Sequence, residues 1–223
     1  MPPRPPTTTS FVILGQLQLR PWGVYELAQH MRRNLRYIWP RAESGVYAEA
    51  KALVARGFAE VTTGKVGNRS RSTYRITPKG RRALKAWLAL PPTPGLGLDF
   101  EGLVRVFLGN FAERRDLLAC VHQANDDAEE LLATAHVVAA EYLEDRAPFQ
   151  EQVHVRALVF DFLFTFAHMV RDWSVRTGTD LERWAALDIE QRRALGKAHI
   201  ARLVRERPAS SRSSRKSAPS VTR

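Results

Sequence analysis

Basic side chains are concentrated in one short stretch of the sequence, residues 62–80, which reads TTGKVGNRSRSTYRITPKG. The stretch holds five Lys or Arg among its nineteen residues and has no acid. Lysine and arginine bind phosphate oxygens through charge-assisted hydrogen bonds. The chemistry that these residue types offer is therefore the recognition of a polyanion.

Charge is divided unevenly along the whole chain. Residues 1–90 have 16 Lys or Arg and 4 Asp or Glu, a formal charge of +12. Residues 91–201 have 11 basic and 18 acidic residues, a charge of −7, and residues 202–223 have 7 basic residues and 1 acidic residue, a charge of +6. Solvation alone does not require such a separation, whereas binding of nucleic acid by the first segment would favour it. We therefore expect nucleic acid to be the partner of residues 1–90.

Signals for catalysis are weak in this sequence. Its one cysteine, Cys120, excludes an intramolecular disulfide and a cysteine-cluster zinc site, and the sequence has no G-x-S-x-G, H-E-x-x-H or glycine-rich phosphate motif. His154, Asp161 and His168 share a helix face at intervals of seven and could bind a metal, but helix neighbours lie three or four residues apart. We interpret them as a polar face and predict no catalytic residue, no metal and no cofactor.

The helix that carries this polar face, predicted over residues 149–177, also has aromatic residues. A candidate effector pocket for a planar molecule consists of Asp161, Phe164, His168 and Trp173. Aromatic residues on a helix belong more often to the core, and that alternative stays open.

Composition divides the chain into five parts. They are a flexible N-terminus (1–9), a DNA-binding domain (10–90), a linker (91–99), a helical dimerisation and effector domain (100–204) and a disordered basic tail (205–223). The sequence ALPPTPGLGLD at residues 89–99 marks the linker, because proline and glycine end helices. The tail has few apolar residues to bury.

The sequence gives no signal for export or for membrane insertion. Its first residues, MPPRPPTTTS, have no apolar segment, and its longest strongly apolar run, residues 157–170, is shorter than the roughly 20 residues that span a bilayer. We predict that this run is a buried helix. We expect a cytoplasmic, nucleoid-associated protein with no membrane partner.

Three helices can be predicted in the first half of residues 10–90. Ser10 is a candidate N-cap for the first helix, and the stretch VYELAQHMRRNL has the apolar spacing of a second. Ser44 is a candidate cap for a third helix, which should end at Gly57 because glycine favours the left-handed position after a helix.

A β-hairpin and a fourth helix follow. Two strands, residues 58–63 and 72–77, enclose an eight-residue loop, and Thr77 and Pro78 have the residue types that begin a helix. This order is that of a winged helix-turn-helix. We therefore predict a mainly α protein, with an N-terminal winged helix-turn-helix, a small β-hairpin wing and a C-terminal α-helical dimerisation domain.

In a winged helix-turn-helix the third helix enters the major groove of double-stranded DNA, and the hairpin lies over neighbouring phosphates. Contacts are therefore expected near the start of the third helix, off its core face, and from the basic residues of the loop. Half-buried packing is the alternative role for the tyrosine in this set. The predicted DNA-binding residues are Arg41, Ser44, Gly45, Tyr47, Ala48, Lys51, Lys65, Arg69 and Arg71.

An apolar seam runs along the first long helix of the acidic region. Its residues alternate in steps of four and three, which is typical of a coiled coil, although the same seam could pack inside one chain. A two-fold homodimer would favour a palindromic operator with half-sites about one helical turn apart. The predicted dimerisation residues are Leu117, Val121, Ala124, Ala128, Leu131, Ala135, Val138 and Tyr142.

Three stretches resemble the PadR family of transcriptional regulators: ILGQLQLRPWGVYELAQHM, WPRAESGVYAEAKALVARGFAE and STYRITPKGRRALKAWL. They are similar to the family's leading ILGLL helix, its G-Y-E-L helix, its G-T-L-Y-P-x-L recognition helix closed by G-L, and its Y-x-L-T-x-x-G start of a helix ending in W-L. Ala48, Ala50 and Ala52 depart from the family's Pro, Leu and Arg. The resemblance implies a dimeric regulator, usually a repressor, that a small aromatic effector releases from DNA.

Two other functions stay open on the sequence alone. A protein that coats DNA or RNA without sequence preference would use the same basic hairpin and tail, but it would bind all sequences alike. An enzyme built on His154, Asp161 and His168 is the other alternative.

Overall fold

The computed structural model describes residues 5–39, 45–66, 69–92 and 98–206. The chain divides into two compact units, residues 1–97 and residues 98–223. Residues 1–4 of the predicted N-terminus, residues 93–97 of the predicted linker and residues 207–223 of the predicted tail lie outside the described residues.

The N-terminal unit has the predicted winged helix-turn-helix order. Its elements are α1 (Thr8–Leu19), β1 (Trp22–Gly23), α2 (Val24–Leu35), α3 (Val46–Ala55), β2 (Ala59–Val66), β3 (Arg69–Ile76) and α4 (Pro78–Leu88). The three strands form an antiparallel sheet in the order β1-β3-β2. Strand β1 was not predicted, because its two residues are too few to show a period.

The core of this unit lies between α1, α2, α3 and the sheet. Each helix contributes the apolar face that its spacing predicts, and Tyr74 and Ile76 of β3 are both buried, as their alternation indicates. The ring of Phe11 on α1 also stacks on that of Trp87 on α4, with the centroids 4.9 Å apart. The buried helical residues include Ile13, Leu14, Leu17, Leu27, Met31, Val46, Ala50 and Leu53.

The first helix begins earlier than predicted. Thr7, and not Ser10, is its N-cap: the Thr7 side chain accepts a hydrogen bond from the backbone N–H of Ser10, and the Ser10 hydroxyl accepts one from the backbone N–H of Thr7. This reciprocal pair is a capping box, with Ser10 in its N3 position. The prediction was wrong because residues 7–10 are all Thr or Ser, and each is a suitable cap.

The hairpin is longer than predicted, and its loop is shorter. Pairing continues from Ala59↔Ile76 to Val66↔Arg69, so residues predicted to form an eight-residue loop belong to the strands. A signal for this was present, because Gly-Asn at residues 67–68 is a dipeptide of two-residue hairpin turns. These two residues themselves lie outside the described part of the chain.

The C-terminal unit is helical throughout the elements described. It contains α5 (Glu101–Phe107), α6 (Arg114–Leu143), α7 (Val153–Trp184) and α8 (Ile189–Glu206). Short 3-10 turns, Gly109–Phe111 and Gln150–Gln152, precede α6 and α7. Helices α6 and α7 pack along each other and provide most of the buried residues of the unit.

The heptad seam of α6 packs inside the chain. Leu117 and Val121 contact Leu181 of α7, and Ala124 and Ala128 contact Val170 of the same helix. Leu131 and Ala135 are also buried, whereas Val138 and Tyr142 are half-buried. The interpretation of this seam as an interchain contact therefore needs correction: burial against α7 already accounts for its spacing, since either kind of contact produces the same pattern.

Helix α7 is not the buried helix that was predicted for residues 157–170. Of its 32 residues only Ala167, Val170, Ser174 and Leu181 are buried within the chain. By length and composition alone, Gln150–Trp184 is also long and apolar enough to cross a membrane, a test that core helices of soluble proteins can pass too. Several apolar side chains of α7 are therefore exposed within a single chain.

Candidate DNA-binding surface

Helix α3 presents two different faces. Val46, Ala50 and Leu53 are fully buried against the rest of the N-terminal unit. On the other side Tyr47 is 52% exposed, and Ala48 and Lys51 are exposed as well. The helix therefore offers one aromatic hydroxyl, one methyl group and one cation to a ligand that lies along its outer face.

The start of α3 is only partly described. Gly45 is its N-cap residue, with φ −127° and ψ 4°, and its carbonyl oxygen accepts a hydrogen bond from the N–H of Glu49 at 2.8 Å. Arg41 and Ser44, which were predicted to contact DNA, lie outside the described residues.

The end of α3 sets the direction of the hairpin. Gly57 has φ +71°, and its N–H donates to the carbonyl oxygen of Val54, while the N–H of Phe58 donates to that of Leu53. These two bonds form a Schellman motif, so the predicted left-handed glycine is confirmed. Because β2 starts two residues later, the helix end fixes where the hairpin leaves the domain.

The base of the hairpin is also tied to α4. Thr77 is the N-cap of α4, as predicted: its Oγ1 accepts a hydrogen bond from the N–H of Gly80 at 3.0 Å, and Pro78 occupies the first turn. The N–H of Thr77 donates to the carbonyl oxygen of Phe58 at 3.1 Å. Lys79 Nζ donates to the carbonyl oxygen of Arg56 at 2.8 Å, so α3, the hairpin and α4 meet at one junction.

The predicted basic residues lie near the far end of the hairpin, on its strands. Lys65 pairs with Ser70, Arg71 with Gly64, and Arg69 with Val66. At about 3.3 Å per residue, Lys65 is roughly 20 Å along β2 from its start at Ala59. The hairpin therefore carries these three positions well away from the junction.

The four residues of the candidate effector pocket do not form one group, because only Phe164 and His168 contact each other. The ring of Phe164 contacts that of His168 at 4.6 Å between centroids, and also that of His136 on α6 at 5.6 Å. Asp161 is exposed, and Trp173 lies about 18 Å from it along α7, at 1.5 Å per residue. Trp173 packs instead in the helical core, against Phe100.

The polar stripe of α7 does not assemble a metal site in the described residues. His154 and Asp161 are both exposed, and His168 is half-buried. The described part of the chain holds no group of three or more His, Cys, Asp or Glu that could bind a metal ion.

Residues 13–86 match the model of the family described as "Transcriptional regulator PadR-like family". They form a PadR-like domain. The match runs from α1 through α4 and so includes the outer face of α3, the junction and the hairpin. No curated protein matches the chain significantly.

Solved structures share the fold of the PadR-like domain and of much of the helical unit. Bacillus subtilis PadR in complex with operator DNA aligns with a TM-score of 0.67 at 16% identity, covering 78% of this chain and 99% of its own. The same protein in complex with p-coumaric acid aligns with a TM-score of 0.60 at 16% identity, covering 80% and 99%. The Vibrio cholerae virulence activator AphA aligns with a TM-score of 0.60 at 19% identity, covering 79% and 99%.

Proposed function

We propose that the chain is a transcriptional regulator that binds a palindromic DNA operator as a homodimer and represses transcription from it. One observation carries the proposal: the PadR-like domain turns Tyr47, Ala48 and Lys51 outward on α3, while the rest of that helix is held in the core. An exposed helix face of this kind, beside a basic hairpin, fits the major groove and the adjacent phosphates. The +12 formal charge of residues 1–90 supports the same ligand.

The dimer that we propose uses the exposed side of α7. Val155, Leu158, Phe162 and Met169 recur at helical spacing and are between 50% and 72% exposed, on a different face of α7 from its buried residues. Contiguous apolar surface of this kind usually marks an interface. A second copy of the chain would cover it and would place two α3 helices for the two halves of a palindrome.

We also propose that a small aromatic effector lowers the DNA affinity by binding to the helical unit. The aromatic group that supports this proposal is centred on Phe164 of α7, whose ring contacts those of Phe160 and His168 on the same helix and that of His136 on α6. Bacillus subtilis PadR has been crystallised with p-coumaric acid, so this compound is the first probe. A fall in DNA affinity on its addition would support release, and an unchanged affinity would contradict it for this ligand.

A protein that coats nucleic acid without sequence preference is the second candidate, favoured by the formal charge of +6 on residues 202–223. Selection from a random duplex library, followed by footprinting with competitor DNA, separates the two. One protected palindrome supports the regulator, and uniform, salt-sensitive binding supports the coating protein. In either case the proposed location is the cytoplasm, with the protein on the nucleoid.

A further inference from the structure

An acidic side chain of α3 is bound to the start of α1. Glu49 Oε2 accepts a hydrogen bond from the Ser10 hydroxyl at 2.5 Å, and Glu49 Oε1 accepts one from the Thr7 hydroxyl at 3.4 Å. Ser10 is fully buried and Glu49 is half-buried. Two helices whose contacting residues are 39 and 42 positions apart in the sequence are thus joined by one carboxylate.

The two hydroxyls take part in a small hydrogen-bond network at the start of α1. Each hydroxyl accepts a backbone N–H within the capping box of α1, Thr7 from Ser10 at 3.2 Å and Ser10 from Thr7 at 3.0 Å. Each hydroxyl then has its own proton left to donate. The Ser10 hydroxyl donates to Glu49 Oε2 at 2.5 Å, whereas the Thr7 hydroxyl lies within reach of both Glu49 Oε1 at 3.4 Å and the Ser10 oxygen at 3.3 Å. The negative charge of the carboxylate also lies at the positive end of the α1 dipole, which stabilises it there.

The position of Glu49 on α3 gives this contact a consequence for the outer face. Glu49 is three residues after Val46 and four before Leu53, so it lies on the buried side of the helix. Held there, it adds a polar contact to the apolar packing that restricts the rotation of α3 about its own axis. It also keeps an acid away from the face that Tyr47 and Lys51 present.

We propose that Glu49 is a positioning residue for DNA recognition: bound to Ser10 and Thr7, it sets the rotation of α3 and thereby the preference for operator over other DNA. This inference rests on the proposed DNA-binding function. Two other roles of Glu49 are incompatible with this one: repulsion of DNA phosphates and a direct hydrogen bond to a base.

The test compares Glu49→Ala, Ser10→Ala and the double variant with the full-length wild-type chain. The probes are the duplex that wild type selects from a random library and a random-sequence duplex of equal length. Loss of a hydrogen bond to a charged group should lower affinity for the selected duplex by about tenfold in each single variant. The double variant should bind the selected duplex no more weakly than the single variant with the lower affinity, because both changes remove the same contact.

Two controls separate positioning from folding and from charge. Glu49→Gln keeps an oxygen acceptor and should recover part of the preference, and binding is measured well below the melting temperature of each variant. Glu60→Ala removes an exposed acid of the same domain, which lies 3.9 Å from Arg75, and should shift affinity for both duplexes by the same factor.

The outcomes are distinct. If Glu49→Ala raises affinity for both duplexes as Glu60→Ala does, the acid acts by repulsion and the inference is wrong. If Glu49→Ala changes the preference while Ser10→Ala does not, the carboxylate contacts a base and the inference is also wrong. If wild type selects no sequence at all, the proposed regulator function fails first, independently of Glu49.

Discussion

Thr77 Oγ1 donates a hydrogen bond to the carbonyl oxygen of Gly57 at 2.7 Å. The donor is the N-cap of α4 and the acceptor is the left-handed residue that ends α3, so a single hydroxyl connects the ends of two helices on either side of the hairpin. The same hydroxyl oxygen also accepts the N–H of Gly80. The hairpin is therefore held at its base between the end of α3 and the start of α4, and its orientation depends on the distance between these two helix ends.

The close approach at this junction predicts the effect of Gly80→Ala. A Cβ atom on Gly80 would lie 2.1 Å from the carbonyl oxygen of Phe58, which is far inside van der Waals contact. We expect a loss of about 3 kcal/mol in the free energy of unfolding, measured by urea denaturation. Gly64→Ala is the control, because a Cβ there meets nothing within 4 Å. Equal stability of the two variants would contradict the described junction.

The outer face of α3 predicts the effect of Lys51→Met, which keeps the length of the side chain and removes its charge. We expect affinity for the selected operator to fall by about 1–3 kcal/mol, the usual range for a base contact, with little change in thermal stability because the residue is exposed. Lys85→Met removes the same charge from an exposed position on α4. If this control weakens binding as much, α3 is not the reading helix.

The basic positions of the hairpin predict the salt dependence of binding. Arg69→Ala and Arg71→Ala should each lower the slope of log K against log salt by about 1, because each phosphate contact releases its share of counterions. Both should weaken binding to all duplexes alike and leave the ranking of sequences unchanged. Unaltered affinity and slope in both variants would remove the hairpin from the DNA-binding surface.

The exposed side of α7 predicts the effect of Phe162→Glu. Phe162 is 64% exposed within one chain, and a carboxylate placed there would be buried without a partner in the proposed dimer. We expect the molecular mass measured by light scattering at micromolar concentration to fall from that of a dimer to that of a monomer. Thr179→Glu adds the same charge at an exposed position further along α7 and should leave the dimer intact.

A result in which wild type is already a monomer would contradict the dimer proposal directly. A membrane would instead be the partner of the apolar side of α7 if the wild-type chain needs detergent to stay in solution and sediments with lipid vesicles.

Local signals were sufficient to predict much of the N-terminal unit. The apolar spacing of VYELAQHMRRNL predicts α2, which the structure places at Val24–Leu35. Thr77, Pro78 and Gly57 have residue types that suit only a few backbone positions, and each occupies the predicted one. Such signals depend on neighbours within one or two turns, so they can be interpreted without the tertiary fold.

The features that were missed depend on residues far apart in the sequence. The length of the hairpin follows from backbone pairing across it, which two short alternating runs do not reveal. The bond from Ser10 to Glu49 joins positions 39 apart, and neither residue type indicates the other. The seam of α6 was ambiguous for another reason, since a helix buries the same stripe against a neighbour in its own chain or in a second copy.

The short strand β1 divides the hairpin into a three-stranded inner half and a two-stranded outer half. Trp22 and Gly23 pair with Tyr74 and Thr73, so near the base β3 is the centre of three strands. Beyond Thr73, in the described part of the sheet, β3 is paired with β2 alone. The inner half of the hairpin is therefore held by a third strand, whereas in the outer half each strand is held by the other alone. If the basic positions contact phosphates as proposed, the two-stranded half is the part that can adjust to grooves of different width, while the inner half keeps its pairing with β1.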